Sequence, residues 1–233
     1  MADTQSPDAI ARNVQTVLDN IRQAALRAGR NPESVRLIAA TKTVAPARVR
    51  TAIEAGVRIL GENRLQEALP KIEAVGDCEG VVWHFIGRLQ RRKVKAVVGR
   101  FQMIHSVDSL DLAAEINRRA AEAGLVQAVL MEVNIGEEPT KGGLAPAAVA
   151  EAVAAIKALP NLSVLGLMAV PPLATDPEAA RPYFRRLREL VLSLPYEDVK
   201  ELSMGMSQDY AVAVEEGATM VRIGTAIFGA RRG

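Results

Sequence analysis

The residues best placed to do chemistry lie far apart in the sequence. Lys42 ends the apolar run Leu37-Ile38-Ala39-Ala40-Thr41, a pattern that reads as a buried strand. An amine at the carboxyl end of a core strand loses hydration, and desolvation of a lysine favours the neutral nucleophile. The plainer reading is a lysine whose ammonium snorkels to water. Two small-residue stretches follow apolar runs late in the chain, Ser203-Met204-Gly205-Met206-Ser207 and Ile223-Gly224-Thr225-Ala226. Glycine lets a backbone approach a ligand, and amides at a helix start favour anions. Taken singly, each stretch is also an ordinary turn.

The elements that must position these residues alternate regularly. Ser6 and Pro7 cap and open a first helix in which Ile10, Val14, Val17, Leu18, Ile21 and Ala25 recur at helical spacing, closed by Gly29. Strands are predicted at 37–42, 57–60, 81–86, 102–107, 128–134, 162–170, 199–204 and 219–223. Helices are predicted at 46–55, 64–75 (distorted by Pro70) and 89–98, then one capped by Asp108 or Ser109 and running to 123, then 146–159, 177–194 and 208–216, and a short one with Ile227 and Phe228. Continuous apolar strands, each followed by a helix, mean a parallel sheet covered by helices. Eight of them in 233 residues favour a closed (β/α)8 barrel, a TIM barrel, over an open doubly wound sheet. No G-x-G-x-x-G follows the first strand, as a dinucleotide fold would require. One domain over 1–233 is expected, with residues 1–30 as an extra N-terminal helix outside the barrel.

Barrel enzymes gather their sites at the carboxyl ends of the strands, with phosphate held after strands seven and eight. Those ends carry Lys42, Asn63, His84, Met168, Ser203, Ser207, Arg222 and Thr225. A lysine nucleophile sharing a mouth with a phosphate site selects an aldehyde that bears a phosphate. Pyridoxal 5′-phosphate (PLP) held as a Schiff base and a sugar phosphate in an aldolase both satisfy this. Asn63 also reads as a turn residue, and His84 as a buried histidine with a hydrogen-bond partner.

Composition excludes several other classes. A net charge of +2 gives no global argument for nucleic acid or an anionic membrane, and 3% aromatics offer few base-stacking platforms. One cysteine, Cys78, rules out an intrachain disulfide framework and a multi-cysteine zinc site. The polar start Met1-Ala2-Asp3-Thr4-Gln5-Ser6 lacks a signal pattern and no apolar run is long enough to cross a bilayer. A cytoplasmic protein is expected.

Ala40-Thr41-Lys42-Thr43, Gly61-Glu62-Asn63 with Gln66-Glu67, Trp83-His84-Phe85-Ile86-Gly87, Gly166-Leu167-Met168, Ser203–Ser207 and Val221-Arg222-Ile223-Gly224-Thr225-Ala226-Ile227-Phe228-Gly229 together resemble one family. It is the pyridoxal-phosphate homeostasis family, single-domain alanine-racemase-like barrels of PLP fold type III without the C-terminal β domain. The resemblance runs the length of the chain, in order. It implies that Lys42 forms the Schiff base with PLP and that Ser207, Gly224 and Thr225 cradle the phosphate with the backbone near Met206. It implies that Arg222 faces the pyridine nitrogen, and that Asn63, His84, Met168 and Ser203 line the cofactor. Guanidinium only donates, so the nitrogen opposite stays an unprotonated acceptor and the ring a weak electron sink.

The resemblance therefore implies intracellular PLP homeostasis: holding the cofactor reversibly and buffering it or delivering it to PLP-dependent apo-enzymes, with no assigned reaction. The alternative is a weak PLP-dependent amino-acid racemase. Such racemases need a second base, a tyrosine from an additional domain, whereas Tyr183, Tyr196 and Tyr210 fall on helices or a loop and read as outer packing. A monomer is expected without that domain. The chain departs from its relatives in Gly87-Arg88-Leu89-Gln90-Arg91-Arg92-Lys93, which gives five basic residues between Arg88 and Lys95. A solvated helix face is the expected reading, an anion-attracting rim the competing one. Lys141 sits on a loop over the same mouth and offers a second amine.

Overall fold

The computed structural model describes residues 6–230; the first five and last three positions of the expected 1–233 domain lie outside the described residues. Eight parallel strands close on one another in sequence order: β1 (Arg36–Ala40), β2 (Ile59–Glu62), β3 (Val82–Phe85), β4 (Met103–Val107), β5 (Gln127–Val133), β6 (Leu162–Ala169), β7 (Glu201–Ser203) and β8 (Met220–Ile223). The ring shuts where β8 pairs with β1, with Ile38 opposite Arg222 and Ala39 opposite Ile223. The open-sheet alternative is thereby excluded.

Helices α1 (Pro7–Arg27), α2 (Pro46–Glu54), α3 (Leu65–Val75), α4 (Val94–Val97), α5 (Leu110–Glu122), α6 (Val149–Lys157), α7 (Arg181–Leu192), α8 (Tyr210–Glu215) and α9 (Thr225–Phe228) cover the outside. Ser6 Oγ accepts the Ala9 amide, as the cap reading requires. α1 buries Ile10, Val14, Val17 and Ile21 and packs on α2, α8 and α9. Arg30 ties its end to the barrel by donating to the carbonyls of Val214 and Ala218. So α1 braces the side of the barrel where the last two strands meet the first.

Two apolar layers result. The larger lies between sheet and helices; a smaller one, Ile38, Met103, Leu130, Met168 and Met220, plugs the barrel interior. Register slips at Ile104/Val107 and at Val129/Leu130 interrupt the strand alternation on β4 and between β5 and β6.

Several predicted bounds move. β1 stops at Ala40, so Lys42 stands two residues beyond the strand. The expected helix 89–98 shrinks to a 3-10 turn at Arg91–Lys93 and the short α4. The 146–159 and 177–194 helices likewise begin as 3-10 turns before α6 and α7. α3 is continuous through Pro70, whose missing N–H leaves the Gln66 carbonyl without its helix donor. No helix among the described residues is long and apolar enough to cross a membrane.

Candidate functional site

A cavity of about 910 Å³ opens at the carboxyl ends of the strands. It brings together Lys42, Asn63, Met206, Ser207, Arg222, Gly224 and Thr225, seven of the ten residues expected to share one site. They come from the loops after β1 and β2, the turn after β7, the end of β8 and the start of α9. Lys42 is half-buried and lines this cavity.

The end formed by β7, β8 and α9 is built to receive an anion. Ser207 Oγ accepts the amides of Gly224 at 3.3 Å and Ala226 at 3.2 Å. With its lone pairs taken, the hydroxyl retains its hydrogen as a donor. Among the described residues the amides of Ser207, Gln208 and Thr225, all at the cavity wall, have no acceptor. Ser207 is half-buried while Gln208 and Thr225 are exposed, so water can serve these amides until a ligand does, and three together in one wall suit the several oxygens of a phosphate. Gly205 holds the turn: its φ of +89° suits glycine, and a Cβ there would lie 2.5 Å from that of Ala213. Asp209 Oδ1 accepts the Met206 amide at 2.6 Å. Burial raises its carboxyl, opposed by that bond and by Arg222.

Arg222 forms part of the cavity floor. Its Nη1 donates to Ser203 Oγ at 2.6 Å and its Nη2 to the Ala169 carbonyl at 3.0 Å. Burial lowers the guanidinium to about 10, with Glu132 and Asp209 opposing, so it remains a cation at neutral pH. Two of its five N–H groups are thereby spoken for, and the others remain for a ligand acceptor. Behind it runs a buried polar row. Ser203 Oγ lies 2.9 Å from His105 Nδ1, His105 Nε2 is 3.0 Å from His84 Nδ1, and His84 Nε2 is 3.2 Å from Gln102 Oε1. Burial pushes His84 down to about 4, and burial with the neighbouring His84 and Arg222 holds His105 well below the ordinary imidazole range.

The remaining three expected residues do not line the cavity. His84 and Ser203 sit beneath its floor, wholly buried in that row, and Met168 belongs to the apolar plug. Ser203 lies directly behind the guanidinium from which it accepts, His84 is linked to it only through His105, and Met168 pairs in register with Ser203. His84 has the hydrogen-bonded partners that the plainer reading asked for.

Sequence reasoning missed Arg48, Ile86 and Asp209 at the cavity wall and His105 behind it. His105 could have been found, since it lies on a strand two residues from its carboxyl end. Arg48 could not, because it arrives from α2 and donates across to the Phe228 carbonyl. Tyr210 is packed outside, its hydroxyl accepting from Asn20, and Tyr183 and Tyr196 lie against the outer core. Arg88, Arg91, Arg92 and Lys95 are exposed. Lys141 does reach the cavity wall, where it pairs with Glu138 at 2.5 Å and donates to the Pro171 carbonyl.

Comparison with known proteins agrees with this arrangement. The family model for the alanine racemase N-terminal domain matches residues 7–232. The pyridoxal phosphate homeostasis protein of Aquifex aeolicus is 50% identical over 219 residues, 93% of this chain and 96% of that protein. A solved protein of unknown function from Bifidobacterium adolescentis superposes with a TM-score of 0.89 at 38% identity, over 98% of each chain. PipY of Synechococcus elongatus, solved with PLP bound, gives 0.79 at 38% identity, over 90% of this chain and 99% of that one. The chain belongs to the alanine racemase N-terminal domain family and, within it, to the pyridoxal phosphate homeostasis proteins.

Proposed function

We propose that this protein binds PLP through Lys42 and serves its intracellular homeostasis, holding the cofactor and yielding it to PLP-dependent apo-enzymes. The observation that carries the reading is one wall-to-wall arrangement: the Lys42 amine, the unpaired amides around Ser207 and Thr225, and the Arg222 guanidinium line a single cavity. A phosphorylated aldehyde with an acceptor ring nitrogen fits all three. The relative solved with PLP bound supports the assignment. When bound, PLP supplies an aldehyde that condenses reversibly with a primary amine.

The residues of this chain divide the work. Ser207 donates its hydroxyl hydrogen to the phosphate, beside the free amides of Ser207, Gln208 and Thr225 next to Met206, while the Gly224 amide holds the Ser207 hydroxyl in place. Arg222 donates to the ring nitrogen and, as a permanent donor, keeps it unprotonated. Asn63 closes the side of the cavity towards β3. His84 and Ser203 act from behind Arg222, and Met168 supports the floor. An unprotonated ring is a poor electron sink, so the site favours holding the cofactor over carbanion chemistry. Racemisation also lacks its second base, since none of Tyr183, Tyr196 and Tyr210 lines the cavity. We place the protein in the cytoplasm as a monomer, acting as one domain over 1–233.

The test is direct. Purified protein mixed with PLP turns yellow, borohydride fixes the cofactor to the peptide containing Lys42, and Lys42→Ala shows neither. Loaded protein then restores an apo-enzyme faster than free hydrolysis of the linkage permits. Labelling at another lysine overturns the assignment of Lys42, and transfer no faster than hydrolysis overturns delivery.

A further inference from the structure

Lys42 stands between two peptide groups, and side chains from α3 hold both. Lys71 Nζ donates to the Thr41 carbonyl at 2.5 Å, the oxygen of the peptide that precedes Lys42. Glu67 Oε2 accepts the Thr43 amide at 3.1 Å, the N–H of the peptide that follows. The two residues are four apart, one turn along the same face of the helix. One cation thus grips an acceptor and one anion grips a donor, on either side of the same residue.

The grip is braced from below. Lys71 is 6% exposed and pairs with the fully buried Glu62, whose Oε1 also accepts from Thr41 Oγ1 at 2.6 Å. Glu62 ends β2 and Thr41 follows β1, so the cluster ties the lysine's loop to the neighbouring strand. The turn also needs holding. Thr43 has a φ of +63°, a left-handed conformation that a β-branched residue adopts rarely. Its hydroxyl donates to the Lys42 carbonyl at 2.6 Å, and the Glu67 carboxylate captures the amide that this conformation turns outward. Neither Glu67 nor Lys71 lines the cavity.

We infer that Glu67 and Lys71 are positioning residues for Lys42: by fixing both adjoining peptides they aim its side chain into the cavity. This rests on the reading of Lys42 as the amine that captures PLP. Capture joins Nζ to the aldehyde carbon as C=N, the amine giving up two protons and the aldehyde its oxygen as one water. A nucleophile whose backbone is loose spends less time in reach of that carbon, and misplacement by about 1 Å can cost on the order of 100-fold. A core ion pair with no such role would alter stability and leave capture alone.

The experiment separates the two steps with two ligands. Stopped-flow absorbance follows capture of PLP, and equilibrium titration measures pyridoxine 5′-phosphate, which carries the phosphate and ring but no aldehyde. Glu67→Ala is expected to slow capture about 10- to 100-fold, to leave pyridoxine 5′-phosphate affinity unchanged and to speed hydrogen exchange at the Thr43 amide. Glu67→Gln keeps an acceptor and is expected to restore most of the rate. Lys71→Met should slow capture as well; if it fails to fold, the part-exposed Glu67 carries the test alone. Capture by Glu67→Ala at the wild-type rate overturns the inference. Should the wild-type protein form no borohydride-fixed bond at Lys42, the reading of Lys42 fails instead. Thr43 exchange in Glu67→Ala then decides the clamp, and unchanged exchange overturns it.

Discussion

Arg222 Nη1 donates to Ser203 Oγ at 2.6 Å, and together with Gln102 this bond orients every proton in the row behind it. A guanidinium can only donate, so Ser203 accepts there. At the far end Gln102 Oε1 can only accept, so His84 Nε2 carries a hydrogen and its Nδ1 does not. His105 must then donate from Nε2 and accept at Nδ1, and Ser203 sends its own hydrogen to that nitrogen. Both histidines are neutral in this arrangement, and each donor meets one acceptor. Ser203→Ala breaks the row at its centre, leaving a guanidinium N–H and an imidazole nitrogen buried without partners. A loss of about 1–3 kcal/mol is expected in urea unfolding. A variant as stable as the parent would mean that Ser203 does not bridge the two.

The same row sets a pH dependence. His84 titrates at about 4 in the folded protein against an ordinary 6.5, so between those values the unfolded chain binds a proton that the folded chain refuses. Stability therefore rises with pH across this window. The contribution is complete above pH 6.5 and is lost as the pH falls towards 4, and His105, likewise lowered by burial, adds to it in the same direction. Urea midpoints at pH 7.5, 6, 5 and 4 should fall steadily, and His84→Gln should flatten the upper part of that slope. A parent midpoint that is level from pH 6.5 to 4.5 would contradict the neutral pair.

What the sequence made legible follows from what each feature depends on. Strand-and-helix alternation is local and periodic, so the eightfold barrel could be read from runs such as 128–134 and 219–223. Lys42, Ser207 and Gly224 could be placed because barrel topology alone puts strand ends at one mouth. Depth could not be read. Met168 and Arg222 both belong to the carboxyl halves of their strands, yet the first is plug and the second is floor. That difference comes from the register across β7, which no run of apolar residues records: Met168 pairs with Ser203 and Ser203 with Met220, two residues short of Arg222. The 89–98 segment buries Leu89, Val94, Val97 and Val98 without a full helix, since Arg88, Arg91, Arg92 and Lys95 stay exposed and give a longer helix nothing to pack against.

Ser207 offers a sharper test of the anion end. Its oxygen is occupied by two amides, so what it gives a phosphate is one charge-assisted O–H bond, worth about 1.5–3 kcal/mol. Ser207→Ala is expected to weaken pyridoxine 5′-phosphate binding about 10- to 100-fold, following that energy. Pyridoxine without the phosphate should bind the variant and the parent alike. Equal losses for both ligands, read by titration calorimetry, would mean that Ser207 shapes the cavity and does not contact the anion.

Gly87 tests Asn63. A Cβ on Gly87 would lie 2.2 Å from the Asn63 carbonyl oxygen and 2.6 Å from its Cα, backbone atoms with no rotamer to escape into. Gly87 keeps an ordinary φ, so the cost of alanine is steric and falls on the loop that presents Asn63 to the cavity. Overpacking of this kind costs about 1–3 kcal/mol, and here it must also shift the cavity wall. Gly124 is the control: its φ is +65° and nothing lies within 4 Å of an added Cβ, so alanine there strains only a remote helix end. Both variants should lose stability in urea, while only Gly87→Ala should lose affinity for pyridoxine 5′-phosphate. If Gly87→Ala is destabilised yet binds as the parent does, the wall at Asn63 moves without consequence and Asn63 is no part of the cofactor's surroundings.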